Sequence, residues 1–335
     1  MGAGAGRIAP GHFAVVMATG ILSVDARLLG QELISLVLLA VAGAIYLGLV
    51  ALVAARLVRS PARLVTLPEP AVGFEALTFV AGTGVLGSRL MLDGWQAVPL
   101  ILWSLAIASW AFLTSRLAAA LTVLPWRRIA PTVRGSWLLA VVATQATVVL
   151  GAHVGSGEIA PTLTFACTCG WLLGLGLYVG IAFLLLARLL ARPLRAGTVT
   201  PDYWICMGAL AISTLAGSEL LSTPGRALPS LARPFVAGTT IGAWAVGTAW
   251  IPWLVGIELW RQRVDPTSRR YERERWSTVF PLGMYGACSL QLARLLHAPG
   301  LALLGHAFFW LGLACWVTVG AGAASAAMEA LRSSR

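Results

Sequence analysis

Catalytic or metal chemistry in this chain would have to be built from four histidines, five cysteines and thirteen carboxylates. His12, His153, His297 and His306 are dispersed and show no ligand spacing. Cys167, Cys169, Cys206, Cys288 and Cys315 all fall inside apolar stretches. They read as small packing residues rather than a disulfide framework or a metal site. An intramembrane hydrolase or transferase needs paired acids, a Ser/His couple or a metal cluster at membrane depth. His306 has no second His or acid at helical spacing beside it, so no enzyme, metal or cofactor is expected. Glu75 and Glu258 read as interfacial. Glu219, in A-G-S-E-L-L, has two readings. It is a possible ionisable site within the membrane, or a group at the outer mouth beside Arg226 or Arg233.

Weaker polar chemistry is more regular. The stretch Pro10 to Ser23 is apolar enough for a membrane, yet carries Ala18, Thr19 and Gly20 in its middle. The pattern recurs as Ala81-Gly82-Thr83-Gly84, Val142-Ala143-Thr144-Gln145 and Ile212-Ser213-Thr214-Leu215, with Gly283-Met284-Tyr285-Gly286 at the corresponding place in the last repeat. The third residues of these motifs are 64, 61, 70 and 71 positions apart. Thr19, Gly20, Thr83, Gly84, Thr144 and Thr214 are therefore candidate pore-lining residues. The same residue types also serve close helix packing, and a Thr can simply bond its own helix's carbonyl.

The elements that would carry these motifs follow from composition. The chain of 335 residues is 58% hydrophobic and 11% charged, with a mean hydropathy of +0.83, whereas soluble domains carry about 25% charged residues. Long Leu, Ala and Val runs favour helices over an outer-membrane barrel. Ten segments are expected at about 12–24, 33–55, 74–92, 95–115, 135–152, 161–187, 203–222, 234–260, 276–292 and 301–324. The first is short enough to imitate a cleavable signal peptide, but Pro10-Gly11-His12 is a poor entry to one and the repeat claims the segment.

Every basic residue is Arg. The net charge of +11 would suggest nucleic acid in a soluble protein, but here the arginines sit between apolar spans. Nineteen of them, including Arg7, Arg63, Arg192, Arg195, Arg269, Arg270 and Arg335, fall on one side; Arg27, Arg89, Arg226, Arg233 and Arg294 fall on the other. This places both termini in the cytoplasm of a multi-pass protein of the cell (plasma or inner) membrane. The expected fold is all-α integral membrane, a single domain over 1–335. Five repeated hairpins would set five small-residue inner helices around a central pore and five outer helices facing lipid.

F-A-V-V-M-A-T-G-I-L-S-V from Phe13 to Val24, the ten spans and W-S-T-V-F-P from Trp276 to Pro281 together resemble the tellurite-resistance/C4-dicarboxylate transporter family. That family includes plant slow anion channels, yeast malate permease and sulfite exporters. The resemblance covers nearly the whole chain. It implies a quasi-five-fold bundle around a pore, assembled as a homotrimer with one pore per subunit. It also implies that Phe280 is the phenylalanine that blocks the pore in channel members. Pro281 removes a backbone hydrogen bond beside it, and Gly283 and Gly286 loosen the following turn. Many relatives carry a second Trp and a Tyr just before this Phe-Pro; here Ser277 and Val279 stand there. Phe280 and Tyr285 are five residues apart, so on a regular helix they point about 140° away from each other.

Passage through a narrow, weakly polar tube fits inner helices without an Arg cluster, and basic mouths would concentrate anions. The expected function is movement of small anions, either C4-dicarboxylates such as malate or inorganic ions. The alternative is proton-coupled export of sulfite, tellurite or dicarboxylate. No residue selects the anion.

Overall fold

The structure is a computed structural model that describes residues 10–60, 68–154, 160–191, 200–222, 228, 232–265 and 271–333. It is helical, with no strand among the described residues. The helices are α1 (Phe13–Leu28), α2 (Glu32–Arg59), α3 (Pro70–Ala76), α4 (Thr78–Met91), α5 (Ala97–Val123), α6 (Trp126–Ile129), α7 (Leu139–Gly151), α8 (Ala160–Ala191), α9 (Ile205–Ser222), α10 (Ala232–Val264), α11 (Trp276–Leu296) and α12 (Pro299–Ser333). Short 3-10 turns lead into α1, α7, α9 and α11. Arg7, Arg63, Arg192, Arg195, Arg226, Arg269, Arg270 and Arg335 lie outside the described residues.

Among the described residues, seven helical stretches are long and apolar enough to cross a membrane: α2, Pro70–Met91, α5, Pro161–Ala191, Pro201–Ser222, α10 and Pro299–Ala330. An eighth is added if Trp126–Thr132 and Gly135–Gly151, bent by 92°, count as one span. The chain is thus a multi-pass membrane protein. By this measure the expected count of ten spans becomes seven or eight. The shortfall has a physical cause in the segments that fail. Helix α1 has 16 residues, and α7 has 13. Helix α11 has 21, but its apolar content is diluted by Ser277, Thr278, Gly283, Gly286, Ser289 and Gln291. These helices are wrapped by protein, so they need no lipid-compatible surface. Every residue of α7 is buried.

Burial sorts the helices into two kinds. In α2, α5, α8, α10 and α12, only 11% to 28% of the most apolar stretch is buried, against 67% for Pro70–Met91 and 89% for Pro201–Ser222. Leu33, Leu47, Ile101, Phe165, Val179, Phe183 and Leu303 are among the exposed apolar side chains of the first kind. A Leu that faces lipid loses nothing by exposure, since no water is there to be excluded. The buried helices pack in a closed circuit: α1 on α4, α4 on α7, α7 on α9, α9 on α11, and α11 back on α1. Each also packs on the long helix next to it in sequence, as α1·α2, α4·α5, α7·α8, α9·α10 and α11·α12.

One polar knot holds the far ends of α1, α2 and α4. Ser23 and Ser35 each donate to the other's backbone carbonyl at 2.7 Å. The Arg89 Nε donates to both hydroxyl oxygens at 3.0 Å. Its guanidinium also lies 2.7 Å from Asp93, which is shared with Arg27 at 3.1 Å. Arg89 is fully buried, so it belongs to the packing of α4 and not to an outer loop. Partial burial pushes the Asp93 carboxyl up, but its bonds to Arg89 and Arg27 outweigh this and hold it below the usual range.

Removing Arg89 would leave Asp93 with Arg27 alone, take the shared donor from Ser23 and Ser35, and leave a space between helices. Arg89→Ala is expected to destabilise the protein by about 3–5 kcal/mol, measured by unfolding in detergent or lipid. Because the folded Asp93 titrates below its unfolded value, its stabilisation is complete above about pH 4. It is lost as pH falls through the lowered value. Asp93→Asn is expected to remove that part of the acid sensitivity while lowering stability at neutral pH.

Candidate functional site

The N-terminal ends of the five buried helices converge on one small cavity of about 50 Å³. Ala14 of α1, Thr78 of α4, Leu139 of α7 and Ser277 of α11 line it, with Asp202 from the turn that leads into α9. Glu75, Arg134, Arg273 and Glu274 ring its edge. The carboxylate of Asp202 is committed to the fold, since it accepts the Ser136 backbone N–H at 2.9 Å and the Thr200 hydroxyl. Arg273 stays 3.7 Å from Glu274. The cavity has room for a few waters. Its rim carries both signs of charge.

The repeated threonines turn away from this centre. Thr19 accepts from the Trp316 indole of α12 at 2.9 Å. Thr83 pairs with the Tyr46 hydroxyl of α2 at 2.9 Å. Thr144 accepts from the Trp110 indole of α5 at 2.9 Å. On α9 the equivalent bond runs from the Trp171 indole of α8 to the Ser213 carbonyl at 2.9 Å, while Thr214 bonds back to its own helix at Leu210. On α11 the Tyr285 hydroxyl pairs with Thr248 of α10 at 2.7 Å, and Ser289 accepts from the Trp244 indole at 3.1 Å. Each buried helix is thus bonded to the long helix before it in sequence, and the last long helix is bonded to the first buried one.

Three of the residues that line the cavity are found by stepping back five positions. Five residues turn a helix by about 500°, or about 140° away from the starting face. From Thr19, Thr83 and Thr144 this step leads to Ala14, Thr78 and Leu139, which all line the cavity. From Tyr285 it leads to Phe280, which is 2% exposed. Phe280 also lies one turn deeper than the lining residue Ser277, on the same face of α11. The 140° between Phe280 and Tyr285 is therefore realised on a continuous helix, with Tyr285 directed at α10.

Gly20, Gly84 and Gly283 permit close approach between neighbouring buried helices. A Cβ at Gly20 would meet Val85 of α4 at 2.9 Å, and one at Gly84 would meet Ala146 of α7 at 3.0 Å. One at Gly283 would meet Ile21 of α1 at 2.9 Å. Pro281 is seated against Gly208 of α9, where an added Cβ would be 2.8 Å from its ring. Gly286 faces Asp25 and the backbone of α12.

Glu219 is at the opposite end from the cavity, where its carboxylate lies 3.0 Å from His153 Nε2 just beyond α7. Sequence reading passed over Asp25, fully buried on α1, and Asp202 at the cavity, and it set the fully buried Arg89 among the outer-side arginines. Asp25 lies just past the end expected for the first apolar segment, where a charge reads as the start of a loop. A signal was available for Arg89: its four-residue spacing from Asp93 places both on one helical face.

The family described as voltage-dependent anion channel matches residues 7–324 of the chain. Two uncharacterised membrane proteins of Mycobacterium tuberculosis, from strains CDC 1551/Oshkosh and H37Rv, are similar to it. Each is 40% identical over 140 residues, which is 42% of this chain and 71% of the relative.

An outward-facing Thr144 should matter to helix association and not to passage. Thr144→Val and Trp110→Phe are expected to be non-additive in an unfolding double-mutant cycle, with a coupling of about 0.6 and at most about 1.7 kcal/mol. Additive effects would place Thr144 elsewhere.

Proposed function

The chain belongs to the voltage-dependent anion channel family, and from that premise we propose that it moves small anions across the membrane along the axis of its buried helices. The observation that carries this reading is the cavity where Ala14, Thr78, Leu139 and Ser277 meet at the converging helix ends, with Phe280 three residues beyond Ser277 on α11. Five inner helices, each backed by its neighbour in sequence, form hairpins around an axial path within a single domain. The bent and short segments complete ten crossings. The arginine distribution puts the cavity at the cytoplasmic mouth and both termini on that side.

Phe280 closes this path one turn inside the mouth. Its ring is the largest side chain in a register otherwise held by Ala, Thr and Leu. Pro281 deprives the helix of one backbone bond beside it, and Gly283 and Gly286 allow α11 to shift against α1. Thr19, Thr83, Thr144 and Thr214 contribute to the pathway indirectly, by fixing the rotation of the helices that line it. Gly20 and Gly84 set its width by setting helix separation. Arg134 and Arg273 attract anions to the mouth, while Glu75, Asp202 and Glu274 prevent a sink so deep that an anion would not leave.

Glu219 with His153 marks the opposite mouth as an ionisable pair. Inorganic anions and C4-dicarboxylates remain the substrate classes, and the family resemblance extends to assembly as a homotrimer in the plasma or inner membrane. Members of this family are transporters and channels, so catalysis is not part of the reading.

Truncating the ring should open the path. Phe280→Ala is expected to raise anion flux in proteoliposomes by at least about tenfold, equivalent to about 1.4 kcal/mol of barrier. Chloride, nitrate and malate form the test panel. A variant that folds and conducts no more than the wild type would contradict the assignment.

A further inference from the structure

Asp25 of α1 is fully buried, and neither of its carboxylate oxygens has a hydrogen-bond partner. It is set against the part of α11 that follows Pro281. A Cβ added at Gly286 would lie 3.1 Å from Asp25 Oδ2, and one at Gly283 would lie 3.5 Å from the same atom. Gly286 also touches the backbone of α12 at Gly305 and Phe309. The carboxyl is thus enclosed where three helices meet, and only the absence of side chains on α11 leaves room for it. One turn further out on α1, Leu28 and Leu29 line an open cavity of about 530 Å³ with Arg294, His297 and His306. That cavity opens outward one turn from the buried acid.

Other ionisable groups around this end of α1 are engaged elsewhere or do not reach Asp25. Arg27, on α1 itself, pairs with Asp93 and Glu32, the latter from α2. Arg89 of α4 is held by Ser23, Ser35 and Asp93. On α11, Arg294 donates to the Leu28 carbonyl at 3.0 Å, and the Cys288 thiol donates to the Tyr285 carbonyl. His297 just after α11 and His306 on α12 line the outer cavity. None forms an ion pair or hydrogen bond with the Asp25 carboxyl.

We propose that Asp25 is a proton-binding site whose occupancy controls the packing of α11 on α1, and through it the position of Phe280. An ionised carboxylate without a partner is strongly disfavoured in dry packing, whereas the neutral acid is tolerated. The packed arrangement therefore holds the proton. Loss of the proton to water in the outer cavity leaves an anion that must be hydrated, and hydration requires Gly283 and Gly286 to move away from α1. The same movement carries Phe280, three residues before Gly283 on the same helix. The sign follows: low pH favours the protonated, closed packing, and rising pH favours the open one. This rests on the reading of the axial path as an anion route gated at Phe280.

Two measurements on the full-length protein in lipid test it. In infrared spectra at neutral pH, the wild type is expected to show a protonated-carboxyl C=O band that is lost in Asp25→Asn. Identical spectra in that region would overturn the proton site whether or not anions move. In proteoliposomes, flux of the fastest of chloride, nitrate and malate is expected to rise with pH in the wild type, approaching about tenfold per unit. Asp25→Asn, which mimics the neutral acid, should be slow and independent of pH. An unchanged pH profile in that variant would overturn the coupling. Should Asn be poorly tolerated, Asp25→Ala removes the titrating group without adding volume and must also abolish the pH dependence. If no anion moves through the wild type, the transport reading fails while the infrared result still decides the proton site.

Discussion

The layer of bonds between aromatic donors on the long helices and polar groups on the buried ones is the interaction on which the arrangement depends. Within a membrane, apolar burial gives helices little reason to associate, because lipid tails are as apolar as Leu. Close packing and interhelical hydrogen bonds must do it. Here Trp316, Tyr46, Trp110, Trp171 and Trp244 each reach a buried helix from outside. Each contact fixes rotation as well as position, since a hydroxyl bonded outward turns the opposite face of its helix inward. The link from Trp316 to Thr19 joins the last long helix to the first buried one and closes the circuit.

The inward face that results is modest chemically. It presents Ala14, Thr78, Leu139 and Ser277 near the convergent helix ends, with charged groups beside them. A weakly polar lining holds ions loosely, which suits passage better than storage. The strongest polar groups inside the bundle are devoted to other tasks. Arg89 locks the far ends of three helices, while Asp25 lies unpaired beside the glycines of α11. Buried charge is thus treated in opposite ways at α4, where it is bonded, and at the α1–α11 contact, where it is not.

Much of this was legible from residues alone. The repeat of Thr19, Thr83 and Thr144 marked equivalent levels on equivalent helices, and each of these three hydroxyls meets an aromatic donor. Their direction was not legible. A Thr in an apolar helix is compatible with a cavity, a neighbour or its own backbone, and only the position of an aromatic partner some 34 to 297 residues away decides. Thr214 shows the limit, because the bond on α9 goes to the adjacent Ser213 carbonyl. The lengths of the spans were less legible, since an apolar run does not show where a helix bends or stops, and α7 has only 13 residues. Asp25 was obscured by ending the first apolar segment just before it, and the burial of Arg89 by counting it with the outer-side arginines.

The central claim is that the face five residues before Thr19, Thr83 and Thr144 lines the proposed anion path, while these threonines do not. Substituted-cysteine accessibility measures this directly, in a background where the five native cysteines are replaced. A membrane-impermeant, water-soluble thiol reagent is applied during anion flux to Thr78→Cys, Leu139→Cys, Thr83→Cys and Thr144→Cys. Modification is predicted to block flux at 78 and 139 and to leave it unchanged at 83 and 144. Block at 83 and 144 with none at 78 and 139 would contradict the account.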